Sequence, residues 1–225
     1  MIPSRSEVDL VHPAAYSAYR TILAVDTTED RLSAALLAGG RLFLSRGKPG
    51  SPHDETMFAA VDRLLGKAGL ALEDVSAFAA ASGPGRFTGI RIGMAFCAVA
   101  AERLKAPAVA VSRLEALAFR AKRAAKTLCA VVPGWRDEKF YQLFKTGGGA
   151  RPKAGSIKAV GPPVWTTLEG WARARPGIEE AGALVVEACP GAEEVLALAA
   201  ERLKRGRLPP FEPLYLKPAG YERKR

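Results

Sequence analysis

An α/β fold is predicted by three observations. Strand-like segments alternate with helical patterns along most of the chain, a loop with three glycines and a proline joins one such strand to a helix, and no apolar run approaches the length of a membrane span. At 225 residues the chain has room for one large domain or two small lobes, each with a buried core. Hydrophobic residues at 48% with 25% charged read as an ordinary globule rather than a disordered or membrane protein.

Residues 1–20 carry no clear period and are expected to form an extension of uncertain order. Residues 22–28, ILAVDTT, alternate as a strand does, and strand-like segments at 32–37 and 41–46 follow. Residues 54–69 form an amphipathic helix, with Met57, Phe58, Ala60, Val61, Leu64, Leu65 and Ala68 in one stripe and Glu55, Asp62, Arg63 and Lys67 away from it. A strand of small apolar residues at 76–82 leads into the glycine loop, which launches a helix over 88–105. Further along, a buried strand is expected at 107–111, a helix capped by Ser112 running to about 126, and strands at 128–132 and 139–145 around Pro133-Gly134. A flexible loop at 146–152 precedes weaker signals for a strand at 157–160, a helix at 168–175, a strand at 183–188 and a helix at 192–204.

The loop carrying Gly83, Gly85, Arg86, Thr88 and Gly89 is neither a P-loop nor a dinucleotide fingerprint. Its glycines permit positive φ and close backbone approach, so it either cradles an anion at the helix start or seats the helix tightly on the sheet. Thr88 is placed to cap the helix through the N–H of Ile90 or Arg91.

The order of elements, with Asp26-Thr27-Thr28 at the end of the first strand, resembles the actin-like ATPase superfamily. The glycine loop continued as FTGIRIG at 87–93 narrows the resemblance, together with ILAVDTT, Ser51-Pro52-His53, PAVAVSRLEAL at 107–117 and EPLYL at 212–216. These are similar to the TsaB (YeaZ) family, accessory subunits for threonylcarbamoyladenosine synthesis on bacterial tRNA, over about residues 21–218. The resemblance implies a two-lobed, actin-like (ribonuclease-H-like) fold: an extension at 1–20, a first lobe at 21–106, and a reduced second lobe at 107–225 ending in a basic tail. It implies a noncatalytic partner that binds and stabilises the threonylcarbamoyltransferase TsaD as a heterodimer, with TsaE as a further ATP-handling partner and a homodimer left open. tRNA would be reached through that complex, ATP and metal would reside on the partner subunits, and the location would be cytoplasmic with no membrane contact.

The chemistry-bearing residues agree with that role. The histidines, His12 and His53, form no HExxH or HxxxH pair. The catalytic relative TsaD carries an HxxxH metal pair directly after the strand matching 107–111, where this chain has Arg113 and Leu117. Cys97, Cys129 and Cys189 are an odd number without CxxC spacing and read as buried reduced thiols. Asp26, Thr27 and Thr28 are either the remnant of a nucleotide site or hydrogen-bonding residues of a hairpin turn. The enzymatic alternative is a free-standing actin-like phosphotransferase holding ATP with Asp26 and the glycine loop. Two departures from the family pattern stand out: Arg86, where a small residue is usual, and Pro133-Gly134-Trp135-Arg136, where Asp-Ala-Arg is frequent.

The charge of +10, from 33 basic and 23 acidic residues, would suit an anionic partner, and an RNA-binding module is a further alternative. The basic residues are nevertheless dispersed over 113–126, 202–207 and 223–225 without an aromatic-basic stacking platform, which reads as solvated helix faces and a basic tail. The helix after the glycine loop has no charged side chain from 92 to 101. With Ile92, Gly93, Phe96, Ala100 and Leu104 inward, Met94, Ala95, Ala98 and Ala101 would form an outward strip edged by Arg91, Glu102 and Lys105. Met57, Val61 and Leu64 would extend it, giving a docking surface whose alternative is burial under the second lobe.

Overall fold

Residues 19–147, 157–206 and 208–217 are described in the computed structural model. The expectations for residues 1–18, for 148–152 of the flexible loop, for Arg207 and for the basic tail lie outside the described residues. Strands β1 (Thr21–Asp26), β2 (Ser33–Ala38) and β3 (Arg41–Arg46) form an antiparallel meander. Helix α1 (His53–Ala68) then crosses to β4 (Ala77–Gly83), and α2 (Phe87–Leu104) crosses to β5 (Ala108–Ser112). Both crossovers produce parallel pairs, giving a five-stranded sheet of order β3-β2-β1-β4-β5.

The period of two in β1 distributes its side chains between two layers. Leu23 and Val25 face α1 and α2, beside Leu64, Phe78, Ile90, Met94 and Cys97. Ile22 and Ala24 face the opposite layer, where α5 (Ala192–Arg205) contributes Val195, Leu196 and Ala199. Between the sheets, α3 (Arg113–Ala121) directs Leu114, Leu117 and Ala118 into the second core. That core belongs to the sheet β8-β7-β6-β9, made of β6 (Thr127–Pro133), β7 (Glu138–Lys145), β8 (Lys158–Thr167) and β9 (Leu184–Glu187). Helix α4 (Leu168–Glu180) buries Trp171 against Cys129 and Val131 on its other face.

The boundary expected between residues 106 and 107 is displaced. Strand β5 pairs in parallel with β4 from Phe78↔Ala108 to Gly83↔Ser112, so it closes the first sheet. The late helix α5 also returns to the first lobe, because its apolar stripe needs the face of β1 and β2 that α1 and α2 leave bare. The strand expected at 157–160 extends to Thr167 by pairing with β7, and Pro162 and Pro163 are tolerated there because β8 is an edge strand. Helix α3 stops at Ala121, where a turn bonding Ala124 N–H to the Ala121 carbonyl begins the return to β6.

Candidate functional site: a sealed strand end and an open helical face

Asp26, Thr27 and Thr28 close β1 and are buried. Asp26 Oδ1 accepts from Thr28 N–H at 2.9 Å and from Thr28 Oγ1 at 2.6 Å, which holds the hairpin turn in place. Thr27 Oγ1 donates to the Gly89 carbonyl at 2.6 Å, and the Thr27 carbonyl lies 3.0 Å from His53 Nδ1 at the start of α1. The His53 ring thereby ties the first helix to the hairpin, its Nε2 lying 3.3 Å from the Asp30 carbonyl.

The glycine loop packs directly on this strand end. Gly83 adopts φ of +105°, a conformation open to glycine at little cost. A Cβ on Gly85 would stand 2.6 Å from the Thr28 carbonyl oxygen, one on Gly93 would stand 2.5 Å from Thr27 Oγ1, and one on Gly89 would run into the Thr27 carbonyl. These glycines therefore permit close helix approach. Arg86 N–H donates to the Thr28 carbonyl at 2.8 Å, while the Arg86 side chain pairs with Asp30 at 2.9 Å. The expected cap at Thr88 is not formed. Helix α2 already begins at Phe87, with Arg86 at the N-cap position and no side-chain cap, so Thr88 lies inside the first turn and is exposed. Ser112 does occupy the N-cap of α3, but its hydroxyl caps nothing.

Arg113 completes the seal. Its side chain is 0% exposed, its Nη1 donates to the Pro84 carbonyl at 2.9 Å, its Nη2 pairs with Glu29, and its Nε lies 3.7 Å from Asp26 Oδ2. The last separation is too long for a hydrogen bond, so Asp26 Oδ2 is compensated by charge alone. Burial raises the Glu29 carboxyl above its ordinary range, the Arg113 charge opposes that shift, and the Asp26 charge adds to it.

These residues do not fit a metal ion or a nucleotide phosphate at Asp26. A fixed guanidinium already faces the free carboxylate oxygen, and both threonine hydroxyls are committed within the chain. The cavity between the β1–β2 and β6–β7 turns measures about 180 Å³. It is lined by Thr28, Glu29, Asp30, Gly85, Arg86 and residues 133–135, and Asp26 does not reach it. Among the described residues, no group of three or more His, Cys, Asp or Glu side chains is placed to hold a metal. Burial also pushes the Cys97 thiol up and that of Cys129 to about 12, which keeps both protonated at neutral pH. Cys189, expected to be buried, is exposed.

The outer face of the first lobe differs in part from the expected strip. On α2, Arg91, Ala95, Ala98 and Glu102 are exposed at spacings that place them on one helix face. Met94 and Ala101, expected outward, are buried with Ile90 and Cys97 against the sheet. Met57, Val61 and Leu64, expected to share a contact, are likewise buried. The cause is a rotation of α2 about its axis, set by Gly89 and Gly93, which bring that edge of the helix onto Thr27. Two residues not assigned to the surface occupy it instead: Phe58 on α1, 57% exposed with its ring 5.8 Å from that of Phe96, and Val99, 69% exposed. An apolar residue between Ala98 and Ala100 was the available sign for Val99; Phe58 carried none, since it fits the inward stripe of α1 as well.

Two sheets in this order, with an acidic strand end, a glycine loop after β4 and helices on both faces of the first sheet, define an α/β protein of the actin-like, ribonuclease-H-like class. The chain is 30% identical over 128 residues to the tRNA threonylcarbamoyladenosine biosynthesis protein TsaB of Haemophilus influenzae, a match covering 56% of this chain and 54% of that one. It is 27% identical over 218 residues to TsaB of Escherichia coli, covering 87% and 94%. The solved structure of YeaZ from Pseudomonas aeruginosa superposes with a TM-score of 0.69 at 28% identity, over 87% of this chain and 99% of that one. Over most of its length the chain is similar to proteins of the TsaB (YeaZ) family. Residues 50–159 also match the family model of TsaD, tRNA N6-adenosine threonylcarbamoyltransferase. The chain spans about half the length of the Haemophilus relative and nearly all of the Escherichia one.

Proposed function

We propose that this chain takes part in tRNA threonylcarbamoyladenosine biosynthesis as a noncatalytic subunit that binds and stabilises TsaD, with TsaE as a further partner. The observation that carries this reading is Arg113. A buried arginine faces both carboxylates of the acidic strand end at which an actin-like enzyme would handle phosphate and metal, so a fixed cation of the chain itself competes with any metal there. The chain then acts through its surface. Phe58, Ala95, Ala98 and Val99 offer an outward apolar face, and the small alanines allow close approach of a partner helix. ATP and metal belong to the partner subunits, and the complex works in the cytoplasm.

Co-expression with TsaD of the same cell tests the reading. The wild-type chain co-elutes with TsaD on size exclusion, and Ala98→Glu elutes folded and alone. Hydrolysis of ATP by the isolated chain, abolished by Asp26→Asn, would replace this reading with the phosphotransferase.

A further inference from the structure

A cleft of about 1530 Å³ opens beside the glycine loop, lined by the start of α1, the start of α2, the β6–β7 turn and the segment 214–217. Segments far apart in the chain bring aromatic rings and arginines together there. The Arg91 guanidinium lies 3.8 Å from the Phe87 ring centroid, and the Tyr215 ring stands 4.9 Å from that of Phe87. Across the opening, Arg86 lies 4.7 Å from the ring of Trp135. Phe87, Tyr215 and Trp135 are 51%, 43% and 54% exposed, which leaves ring surface open to solvent in the cleft. The sequence offers no sign of such a platform, because Phe87, Trp135 and Tyr215 stand apart in it.

We infer that this cleft binds a single-stranded segment of RNA, with bases stacking on Trp135 and Tyr215 and backbone phosphates drawn to Arg91 and Arg86. Sequence-tolerant binding of single strands needs ring faces for the bases and cations for the backbone, and both are present. Arg91 is the principal phosphate group: its Nε donates to Tyr215 Oη at 3.2 Å, and it has no carboxylate partner among the described residues. Arg86 is partly neutralised by Asp30, and Lys217 is held by Glu138. An apolar peptide would gain little from the guanidinium groups, and an acidic peptide would leave the exposed rings unused. The choice of RNA among polyanions rests on the role in tRNA modification proposed above, and direct contact with RNA goes beyond that docking role.

The test uses the full chain and a fluorescein-labelled ten-nucleotide oligouridylate or oligoadenylate, read by anisotropy at two salt concentrations. Wild-type protein binds the oligonucleotide and its tryptophan fluorescence is quenched, whereas Trp135→Ala and Arg91→Ala each weaken binding by about tenfold without a change in melting temperature. Arg91→Ala also reduces the slope of log affinity against log salt by about 0.7, as loss of one phosphate contact to a single strand requires. Lys204→Ala, on the far helix α5, leaves binding within about twofold of wild type. No binding by the wild type, or binding that both cleft variants retain in full, overturns the proposal. So does adenosine monophosphate binding as tightly as the oligonucleotide, which would assign the cleft to a free nucleotide. Loss of TsaD capture by the cleft variants without any RNA binding would make the cleft a protein contact and equally overturn it. Ala98→Glu separates the two readings, because it is expected to lose TsaD and keep RNA.

Discussion

Arg113 Nε lies 3.7 Å from Asp26 Oδ2, with the two side chains 0% and 3% exposed. The guanidinium also pairs with Glu29, so one buried cation faces two carboxylates. Arg113→Met keeps much of the volume but strands Asp26 and Glu29. Removing one partner of a buried ion pair costs about 3–5 kcal/mol. Adding Asp26→Asn to Arg113→Met should recover part of that loss. Urea denaturation of the two single variants and the double variant measures the coupling, and strictly additive losses would show that the charges do not interact.

The same strand end makes a prediction about Gly89. A Cβ there collides with the Thr27 carbonyl, and backbone cannot swing aside as a flexible side chain would. Gly89→Ala should lose at least the roughly 1–3 kcal/mol typical of overpacking. Gly66, in α1, has nothing within 4 Å of a built Cβ. Gly66→Ala should therefore gain about 0.5–1 kcal/mol from helix propensity. Thermal melts of the two variants should move in opposite directions; a shared direction would mean the close approach at Gly89 is not the organising contact.

Glu194 gives a pH prediction. Burial raises its carboxyl above the ordinary value of 4.5, Glu193 adds to the shift, and the Gly191 N–H and Arg120 oppose it. The folded state thus holds this proton more tightly than the unfolded chain does, so stability falls as pH rises from about 4.5 through the folded-state value. Glu194→Gln keeps an acceptor for the Gly191 N–H, which lies 2.7 Å from Glu194 Oε2, and does not titrate. Its melting temperature relative to wild type should be higher at pH 7 than at pH 3.5. A constant difference across that range would contradict the shift.

Much of the fold was legible because its elements carry strong local signals. The alternation of residues 22–28, the stripe of α1 and the glycine loop all state their conformation within a few residues. The lobe boundary was not legible, since whether β5 pairs with β4 or opens a second sheet depends on distant hydrogen bonds. At the site, the missing histidine pair could be read directly, but the guanidinium of Arg113 turning back to Asp26 and Glu29 could not. The cleft was illegible for a similar reason: its rings come from α2, the β6–β7 turn and the C-terminal segment, and only the tertiary fold brings them together.

The rotation of α2 supplies the sharpest test of the docking face. An all-apolar stretch from 92 to 101 contains no charge to mark which side meets water, so its composition is compatible with several rotations. Contact of Gly89 and Gly93 with Thr27 selects one of them, turning Met94 into the core beside Phe78 and leaving Val99 outside. Met94→Glu and Val99→Glu place the same charge on the same helix five residues apart. The first buries an unpaired carboxylate in the first-lobe core and should lower stability by several kcal/mol. The second sits in water in the free chain and should leave the melting temperature within about 2 °C, because surface substitutions usually fall within about ±0.5 kcal/mol and about 1 kcal/mol shifts a chain of this size by about 2–4 °C. In a complex with TsaD the order reverses in meaning: Val99→Glu, like Phe58→Glu, puts a charge into the apolar contact and should abolish co-elution while the chain remains folded. Melting curves and size exclusion on these variants decide the matter, and a folded Val99→Glu that still co-elutes with TsaD would place the docking surface elsewhere on the molecule.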